Sequence, residues 1–314
     1  MYYFASDIHL GAGDAATARA VERRFVAWLD DAARDAEAIF LVGDIFDFWF
    51  EYRRVVPKGF VRTLGKLAEL TDRGVRVGFF TGNHDMWVGD YLARECGLEI
   101  HTSPEVMTLS GKKVFIAHGD NMKIDGQPML KFLNRIFRSR TLRWLFSWGV
   151  HPDWALRFGH WWSGRSRKGH GEEAARGASL TEPYTGSSEP HTEPLVEYAR
   201  EYSRTHAVDL FVFGHMHFPR DCREGRLHVV NLGCWAENPS YAVLDAAGVC
   251  WQICELGKVD AGGGGTVAQY MANRNIATLD AGVPVLSMHA PFEVVAKVDC
   301  YEMYRACKAL YEAR

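Results

Sequence analysis

Five short apolar runs of this 314-residue chain each end in side chains of the kind that bind divalent cations. Tyr2 to Ser6 leads to Asp7 and His9, Ala38 to Val42 to Asp44, and Val75 to Thr81 to Asn83 and His84; Lys113 to Ala117 leads to His118, and Asp209 to Phe213 to His215 and His217. One Asp or His after such a run reads as a turn residue or a helix cap. Five endings of one chemical type read as a shared site. Carboxylate, amide and imidazole donors with no thiolate among them suit Mn²⁺ or Fe²⁺ first, with Zn²⁺ as competitor. Two such ions about 3.5–4 Å apart lower the pKa of a bridging water and stabilise charge on the attacking and leaving oxygens. That is the chemistry of phosphoester and pyrophosphate hydrolysis.

Within the motifs, Asp7 and His9 stand two apart, which on an extended strand turns both to one side and lets one cation take both. Gly43 permits a tight turn before Asp44, whose two oxygens could bridge two ions. Asp47 either caps the next helix or orients a ligating His. Asn83 offers a neutral amide oxygen, while His84 is placed to face substrate and to protonate a leaving group or steady phosphoryl oxygens. Gly11-Ala12-Gly13 lacks both a Walker Lys and a third dinucleotide Gly, so it reads as a plain turn.

The elements that must position these residues follow from periodicity. The runs are rich in Val, Ile and Phe, as buried strands are. Between them, Val21, Phe25, Trp28 and Leu29 predict an amphipathic helix over Ala16 to Ala36, and Val61, Leu64, Leu67 and Leu70 another over Phe60 to Arg73. Strand, helix, strand, helix, strand implies an α/β fold with parallel pairing in the amino-terminal half. Later strands near His228 to Leu232 and Tyr241 to Leu244 are expected to form a second, more antiparallel sheet packed on the first.

Residues 121–170 differ in character. Lys123, Lys131, Arg135, Arg138, Arg140 and Arg143 are interleaved with Phe132, Phe137, Trp144, Phe146 and Trp148, and the pattern continues to Trp161 and Trp162. This predicts a helical insertion with a basic, aromatic face, a lid over a substrate that has both an acyl part and a phosphate part. The stretch Lys168 to Pro194 reads as a mobile loop. A net charge of -3 supplies no field that would call for nucleic acid. Seven cysteines, an odd number without Cys-x-x-Cys spacing, read as reduced thiols of a cytoplasmic protein, and neither a secretory signal nor a membrane-spanning run is visible.

In this order the motifs resemble the calcineurin-like metallophosphoesterase superfamily, over Met1 to about Gly257. The resemblance implies a two-sheet β-sandwich flanked by helices, with Asp7, His9, Asp44 and His217 on one metal and Asp44, Asn83, His118 and His215 on the other. Ser6 to Gly11, Gly43 to Trp49, the basic insertion after His118-Gly119-Asp120 and Phe213 to His217 further resemble the UDP-2,3-diacylglucosamine hydrolase family of lipid A synthesis. That implies cleavage of a lipid-linked nucleotide to UMP and 2,3-diacylglucosamine 1-phosphate, typically with Mn²⁺, at the cytoplasmic face of the inner membrane. Asn83, His84 and His215, with Asp125, Ser163, Arg167 and Lys168 from the insertion, are then the substrate contacts. Trp161 and Trp162 either pack within the protein, the first expectation for such a pair, or meet lipid headgroups at the inner membrane face. His84 stands where many proteobacterial members carry Arg. Other nucleotide diphosphates or phosphodiesters are the alternative substrates, and a metal-binding scaffold without catalysis is the alternative of another class.

After Lys258 the chain changes again: Gly262 to Gly265 link to a helix, strand and helix over Thr266 to Arg314. Ser287 to Glu293, Lys297-Val298-Asp299 and the last helix resemble the carboxyl end of aspartyl-aminopeptidase-like metallopeptidases, where the residue matching His289 binds metal. The other ligands of such a site are missing, so His289 alone builds none. The expected organisation is a phosphoesterase domain over 1–258 and an appendage over 259–314.

Overall fold

The computed structural model describes residues 1–122, 139–155, 159, 194–217, 219–235, 239–245, 250–254 and 305. By chain contacts it divides into two units, Met1–Leu256 and Gly257–Arg314. The expected loop over Lys168 to Pro194, Trp161 and Trp162, and the helices, strand and His289 of the tail lie outside the described residues.

Strands β1 (Tyr2–Ala5), β2 (Ala38–Val42), β3 (Arg76–Phe80) and β4 (Glu99–His101) pair in parallel in that order. Helix α1 (Ala15–Ala32) crosses from β1 to β2, α2 (Val61–Asp72) from β2 to β3, and the short α3 (Tyr91–Cys96) from β3 to β4. α1 starts where Asp14 accepts a hydrogen bond from Thr17 N at 2.7 Å, satisfying one orphan N–H of the first turn. The second sheet runs β5 (Glu105–Leu109), β6 (Lys112–Ala117), β7 (Leu210–Phe213), β9 (Leu227–Leu232) and β8 (Pro219–Glu224) in spatial order. Two further helices are α4 (Arg140–Gly149), in the expected insertion, and α5 (Pro194–Tyr202), before β7, and residues 152–155 are also helical.

Alternation along the strands sorts the core into layers. Phe4, Phe40, Phe80, Val114, Ile116, Val212 and Val230 fill the space between the sheets. Ile39, Leu41 and Phe79, on the opposite face of the first sheet, meet Phe25, Leu29, Leu67 and Leu70 of α1 and α2. Phe115, Phe211 and Phe213 meet Leu195 and Ala199 of α5 on the outer face of the second sheet. The expected helix-flanked β-sandwich is therefore present.

One expectation is corrected. The strand predicted near Tyr241 to Leu244, β10 (Ser240–Leu244), does not join the second sheet; it pairs antiparallel with β1, and β11 (Cys250–Cys254) extends that edge. The second sheet is mixed, with β6, β7 and β9 parallel at its centre. Its apolar run makes β10 a strand, but only packing chooses its neighbour.

Candidate metal centre

The carboxyl ends of the parallel strands in both sheets lie in register, Val42 beside Phe80 and Ala117 beside Phe213, so the loops that follow them share one rim. The side chains expected as ligands gather in this crevice, as sites do beyond the carboxyl ends of strands in open α/β sheets. The loops interlock through their backbones. Asp7 N donates to Gly43 O at 3.1 Å, His9 N to Asp44 O at 3.0 Å, and Gly214 N to His118 O at 3.0 Å.

Asp7, His9, Asp44, His215 and His217 all have positive φ, between 49° and 70°. This corrects the strand-based account of the first motif, because β1 has ended at Ala5 and neither Asp7 nor His9 is extended. They still converge, with Asp7 Oδ1 3.9 Å from His9 Nε2 and 3.4 Å from His217 Nε2. His9 Nε2 and His217 Nε2 are 3.2 Å apart. At the other side, His118 Nε2 stands 3.3 Å from Asp44 Oδ2 and 3.3 Å from Asn83 Oδ1, and its ring lies against that of His215. All seven expected ligands are thus brought to one place. His84 joins them, with Nε2 3.8 Å from Asp44 Oδ2. Asp125, Ser163, Arg167 and Lys168 lie outside the described residues.

Carbonyl oxygens fix the orientation of two rings. His118 Nδ1 lies 2.9 Å from Val42 O, and His84 Nδ1 lies 2.8 Å from Asp47 O. A carbonyl only accepts, so both Nδ1 atoms carry hydrogen and both Nε2 atoms face the cluster. Of the two roles open to Asp47, the structure favours orientation, for its Oδ1 faces His9 Nδ1 at 3.7 Å and no helix starts beside it.

The electrostatics fit cations. Burial pushes His9 down to about 3, so the ring is neutral and its lone pair is available. Burial alone would raise Asp7, but His217 and the charge of His118 outweigh it and bring it down to about 2. Burial likewise opposes ionisation of Asp44 and is overcome by His118, which leaves the carboxyl well below its ordinary value. His118 is lifted well above the imidazole range, since Asp44 outweighs the burial penalty, so an ion bound there would have to displace its proton. Asp7 Oδ1 is fully enclosed without a well-aligned hydrogen-bond donor. Buried carboxylates ringed by imidazoles, with an orphaned oxygen among them, are what divalent ions require, and these residues fit two.

Two participants were not assigned from sequence. Asp85 is fully buried and accepts from Ile45 N at 2.8 Å and Gly82 N at 2.7 Å, clamping the Asp44 loop to the Asn83 loop. Burial and the charge of Asp44 push it up to about 7. Its position in Gly82-Asn83-His84-Asp85 was the available signal. Cys234, after β9, sits with His9 and His217 in a group whose donor atoms all lie within 4.8 Å of one another. A cysteine thiol thus lies beside the carboxylate, amide and imidazole donors named from the sequence. No spacing flagged this residue, because its neighbours come from other strands.

Comparison with known proteins agrees with the geometry. The family model for calcineurin-like phosphoesterases matches residues 2–219. The chain belongs to that family. Among relatives of this phosphoesterase, the UDP-2,3-diacylglucosamine hydrolase of Porphyromonas gingivalis is 41% identical over 246 residues, 77% of this chain and 93% of that protein. The protein of the same name from Edwardsiella ictaluri is 30% identical over 143 residues, 46% of this chain and 53% of its own. A second model, for aminopeptidase I zinc metalloproteases (M18), matches residues 240–311. A probable M18 family aminopeptidase 1 of Thermotoga maritima is 49% identical over 70 residues, 22% of this chain but only 16% of that protein. The M18 match begins at β10, a strand of the phosphoesterase's first sheet.

Proposed function

We propose that this phosphoesterase hydrolyses the pyrophosphate bond of UDP-2,3-diacylglucosamine to UMP and 2,3-diacylglucosamine 1-phosphate, a step of lipid A biosynthesis, using two divalent ions with Mn²⁺ first among them. The observation that carries the reading is the convergence of buried Asp7, His9, Asp44 and His118 with partly buried Asn83, His215 and His217, around an Asp7 oxygen without a well-aligned donor. Identity of 41% across nearly the whole length of the relative with that name supports the substrate. When bound, the ions would supply an activated water and stabilise charge on the phosphoryl oxygens. Asp7, His9, Asp44 and His217 would hold one, and Asp44, Asn83, His118 and His215 the other.

The chain's own residues do the rest. Asp44, counted among the residues of both positions, would supply its carboxylate to each. Asp44 Oδ1 accepts from His84 N at 2.9 Å, which holds His84 beside Asp44. His84 Nδ1 is occupied by Asp47 O, so Nε2 is the atom that donates to a phosphoryl or leaving oxygen. Its ring is buried, which keeps bulk water from competing for that bond.

The insertion supports a substrate with apolar and anionic parts. Phe146 of α4 packs on Phe50 and Trp87, 5.3 and 5.6 Å between ring centres, which couples the insertion to the loops around His84. Trp144, Leu145 and Trp148 are exposed on α4, and the Arg53 guanidinium lies 5.2 Å over the Trp148 ring. A cavity of about 530 Å³ opens between α4 and Tyr52, Arg53 and Asp90. These groups, with Asp125, Ser163, Arg167 and Lys168, would receive acyl chains and diphosphate and hold the protein peripherally at the inner membrane's cytoplasmic face. No described helix is long and apolar enough to cross a membrane.

UMP release from UDP-2,3-diacylglucosamine by metal-stripped protein, with and without Mn²⁺ and beside a nonspecific phosphodiester, tests the proposal. Rapid release that depends on Mn²⁺ is expected. Cleavage of the phosphodiester alone would remove the lipid substrate and leave the hydrolytic site.

A further inference from the structure

We propose that Cys234 is a thiolate ligand of the cation position formed by Asp7, His9 and His217, which makes that position softer than the one formed by Asp44, Asn83, His118 and His215. The inference rests on reading these residues as a two-cation centre, and it adds a ligand and a difference in metal preference between the two positions.

The geometry carries it. The Cys234 sulfur and one ring nitrogen each of His9 and His217 lie within 4.8 Å of one another, close enough to share one ion. Asp7 Oδ1, buried and without a well-aligned donor, points into the same space at 3.4 Å from His217 Nε2. A buried cysteine is ordinarily a small hydrophobe among apolar neighbours. Cys234 instead has the imidazoles of His9 and His217 within reach of its sulfur.

The thiol is also held there by its own loop. Trp235 N donates to Asp7 O at 3.0 Å, tying the residue after Cys234 to the Asp7 backbone. Trp235 is buried, packs its ring on Phe25 and Trp28, and donates Nε1 to Ser240 O at 2.9 Å. On the other side, Gly233 N donates to Asn231 Oδ1 at 3.3 Å, while Asn231 Nδ2 donates to Gly214 O at 3.2 Å beside His215. Gly233 has φ +76°, and a Cβ there would come within 3.0 Å of Pro219 N, so the turn that delivers Cys234 depends on glycine. Four segments therefore fix the sulfur's position before any ion arrives.

Thiolate shifts preference toward Zn²⁺ and Fe²⁺ and away from Mn²⁺, and binding releases the thiol proton. The two positions of one centre then favour different ions, the softer beside Cys234 and the harder beside Asn83.

Cobalt titration of the metal-stripped full-length chain, followed by absorption, tests this. Visible d–d bands are expected to grow together with a near-ultraviolet thiolate-to-cobalt charge-transfer band. In Cys234→Ser the d–d bands should persist and the charge-transfer band should vanish, with Zn²⁺ affinity falling by roughly tenfold or more and Mn²⁺ affinity falling less. Visible bands without the charge-transfer band in the wild type, or a charge-transfer band that survives in Cys234→Ser, would overturn the ligand while leaving the two-cation centre intact. Absence of every cobalt band would remove both. Should the serine variant not fold, alkylation of Cys234 in the wild type decides: Zn²⁺ must slow it relative to the metal-free protein, and equal labelling would refute the proposal.

Discussion

Among the described residues, five of the seven non-glycine positions with positive φ are Asp7, His9, Asp44, His215 and His217. Asp and His tolerate the left-handed region better than most residues, yet each still costs about 1–2 kcal/mol there. That strain is held at the ligands themselves and is offset by bonds between loops, such as Asp7 Oδ2 accepting from His215 N at 2.9 Å. Gly43 shows how tight the arrangement is, with φ +81° and only 2.5 Å from the place of its absent Cβ to His118 Nδ1. Gly43→Ala should lower stability by at least about 1–2 kcal/mol and weaken metal binding as His118 is displaced; unchanged denaturant midpoint and metal content would contradict this. His84→Ala should retain both ions and lose roughly 10²–10⁴-fold in turnover, whereas Asp44→Ala should lose ions and activity together. Metal analysis beside hydrolysis rates separates the two, and equal metal loss in both variants would refute the division of roles.

At the scale of elements, the predicted strands agree with the observed ones within two residues at either end, and Val42 and Ala117 close β2 and β6 as expected. The helix predicted over Ala16 to Ala36 ends at Ala32, where the backbone passes into a turn before β2. Strongly periodic, well-buried segments were legible because burial writes their period into the sequence. β4, β5, β8 and β11 were not, being short or at sheet edges where alternation is weak. The join between β1 and the turn after α1 carries a titratable contact: Tyr3 Oη donates to Asp35 Oδ1 at 2.7 Å, and burial followed by that bond raises the phenol above its ordinary value. The folded state therefore keeps a proton that the unfolded chain releases near pH 10. Its contribution is fully present below that pH and is lost as pH rises toward the folded value. Tyr3→Phe should flatten the alkaline loss of stability between about pH 9 and 11, measured by denaturant unfolding; an unchanged slope would remove Tyr3 as its source.

At the scale of the molecule, we propose that the phosphoesterase domain occupies 1–258 and the remaining chain is an appendage without peptidase activity. The division of chain contacts after Leu256 and the small share of M18 proteins that the tail matches support this. Deleting 259–314 while keeping β11 should leave metal content and hydrolysis within about twofold, since no described member of the candidate metal groups lies beyond Cys234; a protein that no longer binds metal would count against the boundary. By itself the sequence determined the chemical types of the ligands, their places at strand ends, and the family, because hydrophobic period and local motifs are properties of contiguous residues. Only the tertiary structure decided that β10 lies beside β1, that Asp85 clamps two loops, that the ligands take left-handed backbone, and that Cys234 reaches His9 and His217. Each of these depends on which distant segments share a core, and the pattern along a single segment records that it is buried without recording against what.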